Sequence, residues 1–290
     1  MTRLEDILDG LSLGPAAVPE AATGACGACT TFRLWPACAP GETTDEGTPR
    51  LHVFHPLRKT SDTFMLVFPG GGYEFHAIDH EGWQIAEYFN RKGLSAAVLE
   101  YRVPRRPDRP KHAAPWQDAQ RAVRLVRAQA AGWGIDPEKI GVLGFSAGGH
   151  LGLMTATSSQ TAAYEPLDDL DRLPCHLNFA VPVYPAYVLE DGADGENTGQ
   201  GNDSPMVGDF AFDARTPPMC LIHGDEDIHS AMGSVALYHK LRTLAIPVEL
   251  HIFAKTGHGF GAHPVREPGN AHVGDWLNRA YEALAVFGFR

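Results

Sequence analysis

Cysteine is scarce in this 290-residue chain, with only Cys26, Cys29, Cys38, Cys175 and Cys220. An odd, thinly spread set does not form a disulfide framework, so a packed core has to hold the fold. Cys26 and Cys29 have the C-x-x-C spacing of a zinc or redox site. No second C-x-x-C follows and no thioredoxin-like strand precedes them, so they read as ordinary loop thiols and no metal is expected. A disulfide among Cys26, Cys29 and Cys38 would need an oxidising compartment. Positive charge is also short: 24 Lys and Arg stand against 35 Asp and Glu, a formal net charge of −11 with histidine neutral. Such a surface repels phosphate backbones and anionic lipid, which argues against nucleic-acid partners and polybasic membrane attachment. No apolar run approaches the roughly 20 residues that span a bilayer. The opening MTRLEDILDGLSLGPAAVPE lacks the apolar centre of a secretory signal. As written, the chain is expected in the cytoplasm; a secreted protein whose signal had been removed would look the same.

What is present is a large apolar fraction, 44% of residues, enough to bury a substantial core. Residues 10–50 are rich in Gly, Ala, Pro and Thr without sustained periodicity. Residues 1–50 as a whole are expected to form an arm packed on the domain that could contribute an edge strand, with 51–290 as one catalytic domain. From Leu51 onward short β-rich runs recur at 51–55, 64–68, 95–101, 140–145, 178–183, 219–223 and 248–253. Between them lie helical spacings: Ala119, Val123, Val126 and Ala130; Val235, Tyr238 and Leu241; Leu277, Ala280, Tyr281 and Leu284. Strands alternating with helices, several strands being almost wholly apolar, predict an α/β fold. Its sheet should be mostly parallel and covered on both faces. The polar stretch 157–215 is expected to form loops over the top of that sheet rather than a large separate lid domain.

Chemistry concentrates where strands end. Gly144-Phe145-Ser146-Ala147-Gly148 fits G-x-S-x-G, in which a serine sits on a strained strand-to-helix turn and larger neighbours would collide. Gly144 and Gly149 also have phosphate-loop spacing, but His150 and Leu151 stand where the Lys and Ser/Thr of such a loop belong. Ser146 is therefore the candidate nucleophile. His258, between two glycines after the last strand, is the candidate base; His223, His229 and His263 are nearby rivals. The acid is expected just past LIHG. Asp227 is favoured over Asp225, which could instead cap the turn. The triple glycine of Pro69-Gly70-Gly71-Gly72-Tyr73 supplies candidate oxyanion donors, the N–H groups of Gly71 and Gly72, with that of Ala147. Tyr73, His76, Glu81, Tyr184 and Tyr187 lie in or near loops that could face substrate, and each has a structural alternative. Glu81, for instance, could simply brace the glycine loop.

With these residues in hand the chain resembles the α/β-hydrolase superfamily. It looks most like esterases related to hormone-sensitive lipase and to bacterial acetyl xylan and feruloyl esterases. The shared stretches are PGGGY (69–73), HEG (80–82), EYR (100–102), WGIDPEKIGVLGFSAGGHL (133–151), TPPMCLIHGDED (216–227) and VELHIFAKTGHGFG (248–261). The resemblance implies the α/β-hydrolase fold and the triad Ser146, Asp227 and His258, with no cofactor. Pro69 replaces the histidine of the lipase HGGG, which points to the carbohydrate-esterase branch. The acid loop also lacks the V-V-P-type stretch common after the acid. A serine esterase for short-chain esters is expected, with acetyl or feruloyl esters of carbohydrate first among substrates. An arylformamidase- or oligopeptidase-type amide hydrolase would use the same triad, and a non-catalytic binding protein would typically lack one of its residues.

Overall fold

The computed structural model describes residues 19–20, 29–44, 49–190, 201–262 and 270–290. Cys26, His263 and residues 191–200 lie outside them, as does most of the first half of the expected arm. Nine strands form one sheet in the order β1-β2-β3-β5-β4-β6-β7-β8-β9. They are β1 Pro19–Glu20, β2 Cys29–Arg33, β3 Arg50–Phe54, β4 Phe64–Phe68, β5 Ser95–Glu100, β6 Ile140–Phe145, β7 Phe179–Val183, β8 Met219–Gly224 and β9 Val248–Phe253. β4 to β9 pair in parallel, whereas β1, β2 and β3 run antiparallel to their neighbours. All seven expected strands are present to within a residue or two. The antiparallel β2 lies in the stretch where no periodicity was visible.

The helices are α1 Gln84–Arg91, α2 Ala113–Ala128, the single turn α3 Ala130–Trp133, α4 Ser146–Thr157, α5 Met232–Thr243 and α6 Trp276–Val286. Strand period sorts the core into two layers. Phe64, Leu66 and Phe68 of β4 join a cluster with Ala119, Val123, Leu151 and Leu237, so α2, α4 and α5 cover that face. Met65 and Val67 point the other way, to Ile85, Phe89, Trp276 and Ala280 of α1 and α6. On α5 the buried residues are Gly233, Ser234, Leu237 and Leu241. Tyr238, expected on the inner face, is 37% exposed.

Strand order reverses at β4. The chain leaves it by α1 to reach β5 on one side, then returns over the opposite face by α2 to β6 on the other. Right-handed crossovers in opposite directions open a crevice at the carboxyl ends of β4 and β6, where open α/β sheets bind ligands. Residues 69–73 and Ser146 follow those two strands.

Close backbone approach fixes the start of α4. A Cβ on Gly148 would lie 2.2 Å from the Phe68 carbonyl oxygen, and one on Gly144 would lie 2.2 Å from that of Gly148. These are backbone atoms at the end of β4 and inside the elbow, so no side chain can swing away to make room. Gly148→Ala is therefore expected to cost about 2–3 kcal/mol in urea unfolding. Gly208→Ala, where nothing lies within 4 Å of the added carbon, should change stability little. Equal midpoints for the two variants would show that the approach is not tight.

Candidate active site

Ser146 is the first residue of α4 and has φ +51°. A left-handed serine costs roughly 1–3 kcal/mol unless its surroundings hold it. Here Phe145 is still extended and the helix begins at once, so the side chain is held where the sheet ends. Ser146 is only 7% exposed. Its Oγ lies 2.8 Å from His258 Nε2, and His258 Nδ1 lies 2.8 Å from both carboxylate oxygens of Asp227. The carboxylate requires a proton on Nδ1, so Nε2 presents its lone pair to the serine hydroxyl. The Asp227 side chain is fully buried, and its Oδ1 also accepts the His229 N–H at 2.7 Å. Asp225 is exposed, and its carboxylate accepts the Thr256 N–H at a long 3.5 Å.

The rival histidines occupy supporting positions. His223 is buried, and desolvation pushes its pKa down to about 4. Its Nε2–H donates to the His229 carbonyl at 2.8 Å, so Nδ1 accepts the Ser234 hydroxyl at the same distance. A neutral ring 3.6 Å from Asp227 leaves the carboxylate charge for His258. The His229 ring packs 4.8 Å from the His258 ring.

The glycine loop passes against the nucleophile: a Cβ on Gly70 would be 3.0 Å from Ser146 Cβ. Gly71 and Gly72 have φ +128° and +66°. The Gly71 carbonyl accepts the N–H groups of Glu74 and Phe75, curling the loop. The Gly70 N–H is committed to Glu81 at 2.8 Å, leaving those of Gly71 and Gly72 as this loop's candidate donors. Ala147, second in α4, carries an N–H with no intrahelical acceptor.

Three of the residues whose loops could face substrate are buried instead. Tyr73 is fully buried, stacked on Tyr187, with its hydroxyl 2.9 Å from His150 Nδ1. Glu81 and Tyr184 are also buried and bond to each other at 2.8 Å. Packing consumes these polar groups because the loops fold inward over the sheet edge. His76 packs edge-on against Tyr101. Tyr187 is half-buried, its hydroxyl donating to the Gly72 carbonyl at 3.4 Å. Nothing in HEG distinguished buried Glu81 from its exposed neighbour Asp79; both are acids in the turn before α1.

Among the described residues, two groups bring three possible metal-ligand atoms within 4.8 Å of one another: His112, His150 and Asp209, and Cys220, Glu249 and His251. In the first, His150 Nδ1 already bonds Tyr73, and Lys111 adds a positive charge that depresses both imidazoles beyond the effect of burial. In the second, His251 Nε2 and Glu249 are bonded at 2.6 Å. The reaction below uses neither.

The BD-FAE family model matches residues 51–185. An acetylxylan esterase of Xylanibacter ruminicola is 28% identical over 237 residues, covering 75% of this chain and 45% of that protein. The chain thus spans less than half the length of that relative. Among solved structures, an acetyl ester-xyloside bifunctional hydrolase from Caldicellulosiruptor lactoaceticus has a TM-score of 0.71 at 28% identity, covering 92% of this chain and 99% of that one. Esterase 2 of Thermogutta terrifontis, solved with butyrate bound, has a TM-score of 0.67 at 26% identity, covering 86% and 92%. Sheet order, elbow and relatives agree on the α/β-hydrolase fold, and these relatives are esterases or acetyl-ester hydrolases.

Proposed function

We propose that this chain is a serine esterase hydrolysing short-chain carboxylic esters, with acetyl groups on xylan-type carbohydrate as the preferred class. The observation that carries the reading is the unbroken line from Ser146 Oγ through His258 to Asp227, beside a glycine loop that touches the serine.

In that reading Ser146 Oγ attacks the ester carbonyl carbon while its proton passes to His258 Nε2. Asp227 stabilises the imidazolium and does not itself take the proton. The carbonyl oxygen gains the charge and is held by the N–H groups of Gly71, Gly72 and Ala147. Collapse of the tetrahedral species breaks the bond to the alcohol oxygen, which leaves with the proton from His258. Water then attacks the acyl-serine by the same route, releasing the acid and restoring Ser146.

The acyl preference rests on the butyrate found in the Thermogutta esterase, and the alcohol on the named acetylxylan and acetyl ester-xyloside relatives. A panel of p-nitrophenyl esters from acetate to laurate, run beside acetylated xylan and methyl ferulate, tests both. We expect kcat/KM to be greatest at acetate to butyrate and to fall at least about tenfold by octanoate, with acetate released from the xylan. A maximum at long chains would defeat the acyl assignment. Activity on p-nitrophenyl acetate without acetate release from xylan would defeat the alcohol assignment.

A further inference from the structure

Beyond the triad, one buried polar assembly is complete enough to have a job in the reaction. Glu81 Oε2 accepts the Gly70 N–H at 2.8 Å, and its Oε1 accepts the Tyr184 hydroxyl at 2.8 Å. The Tyr184 oxygen in turn accepts the Gly261 N–H at 2.9 Å. Gly70 opens the candidate oxyanion loop after β4. Gly261 closes the loop after β9 that carries His258. Tyr184 follows β7, midway between them, and its ring packs against His258 and Phe260 at centroid distances of 4.9 and 4.5 Å. The same two segments meet again where the Ala262 N–H donates to the His80 carbonyl at 2.8 Å. Trp276 Nε1 holds the Gly261 carbonyl at 2.9 Å.

We propose that Glu81 and Tyr184 form a positioning brace that sets the oxyanion loop and the His258 loop relative to one another. The proposal rests on the serine-esterase reading above.

The need for a brace follows from the sheet. β4 and β9 stand four positions apart, so their ends are separated by roughly 19 Å at the usual strand spacing. Two loops must lean across that span and agree on the position of one carbonyl carbon. The sheet alone transmits the agreement through every intervening strand; the side-chain link joins the two loops directly where they lean together. The proton order is also fixed. Because the tyrosine oxygen already receives the Gly261 N–H, its own proton goes to Glu81, which then accepts on both oxygens, the pattern that suits an ionised carboxylate. Burial pushes the Glu81 pKa up, so keeping a charge here works against stability. An apolar pair of similar volume would fill the space more cheaply. A carboxylate held under that penalty, with every bond directed at a loop of the site, fits a role in alignment.

Alignment of oxyanion donors against the base matters most in the transition state, so its loss falls on kcat rather than KM. Glu81→Gln keeps the shape but turns one acceptor into an amide donor. Tyr184→Phe removes the donor to Glu81 and the acceptor for Gly261. With p-nitrophenyl acetate each variant is expected to lose roughly 10–100-fold in kcat with KM within about threefold. The double variant should lose no more than the worse single one, because the two act as a unit. Hydrogen exchange gives a readout independent of turnover: the Gly70 and Gly261 amides, in different loops, should both exchange faster in Tyr184→Phe.

Thermal melts identify any variant that fails to fold, and Tyr184→Phe alone then carries the test. The brace is overturned if kcat stays within about twofold of the parent, if the single losses multiply in the double variant, or if exchange rises only at Gly261. Absence of turnover in the parent would strike the esterase reading instead, while the exchange experiment would still decide the brace.

Discussion

Ser146→Ala will lower kcat on p-nitrophenyl acetate by on the order of 10⁶-fold while leaving the fold intact. The size of the loss follows from covalent chemistry: without Oγ no acyl-enzyme forms, and only the oxyanion donors and substrate positioning remain to act on a water molecule. Stability should hardly move. Alanine inherits the same φ of +51°, so the strain of the elbow is unchanged and only one hydrogen bond to His258 is lost. Kinetics beside a thermal melt separate the two effects. Retained turnover in a well-folded variant would remove Ser146 from the reaction.

Asp227→Asn is the second large effect, roughly 10⁴-fold in kcat. Both Asp227 oxygens lie 2.8 Å from His258 Nδ1, and Oδ1 also receives the His229 N–H. An asparagine must keep its carbonyl oxygen for that backbone donor, so its amide nitrogen turns toward the imidazole. Nδ1 then becomes the acceptor and the proton moves to Nε2, where it faces the serine and blocks it as a base. Asp225→Asn is the matched control: exposed, with a long contact to a loop amide, it should stay within about twofold of the parent. The reverse ranking would move the acid to Asp225.

Much of this was legible in the sequence because period and punctuation coincide. Each parallel strand from β4 to β9 is a short β-rich run, and Ser146, Asp227 and His258 each stand where such a run breaks into glycine or acid. Strand position therefore carried residue position. What was not legible depends on contacts between distant segments. Tyr73, Glu81 and Tyr184 share loops with residues that do reach the crevice, and a polar side chain in a loop gives no sign of whether it turns toward solvent or toward a buried partner. Tyr238 was misplaced for a related reason. Helical spacing identifies a stripe, but Gly233 and Ser234 form part of the inner face of α5, and small residues give a hydrophobic period nothing to register. An edge strand from the arm could be anticipated but β2 could not be placed, because its five residues, Cys29–Arg33, mix polar and apolar types at the antiparallel edge.

The division between an arm and a catalytic domain at residue 50, sensible from composition, is not a seam along which the molecule comes apart. Trp35 is completely buried, and its indole N–H donates to Asp118 at 2.8 Å. Arg102 grips the same carboxylate and reaches the Pro40 carbonyl, while Arg121 takes the Leu34 carbonyl at 2.9 Å. A fragment starting at Leu51 would open an indole-sized void beside two buried guanidinium groups. For Trp35 alone the cavity is worth about 3–5 kcal/mol, a large part of what holds an ordinary domain folded. Residues 29–44 are a keystone inserted from outside the repeating βα pattern, and any shuffled or trimmed form of the chain has to carry them along with the sheet whose far edge they brace.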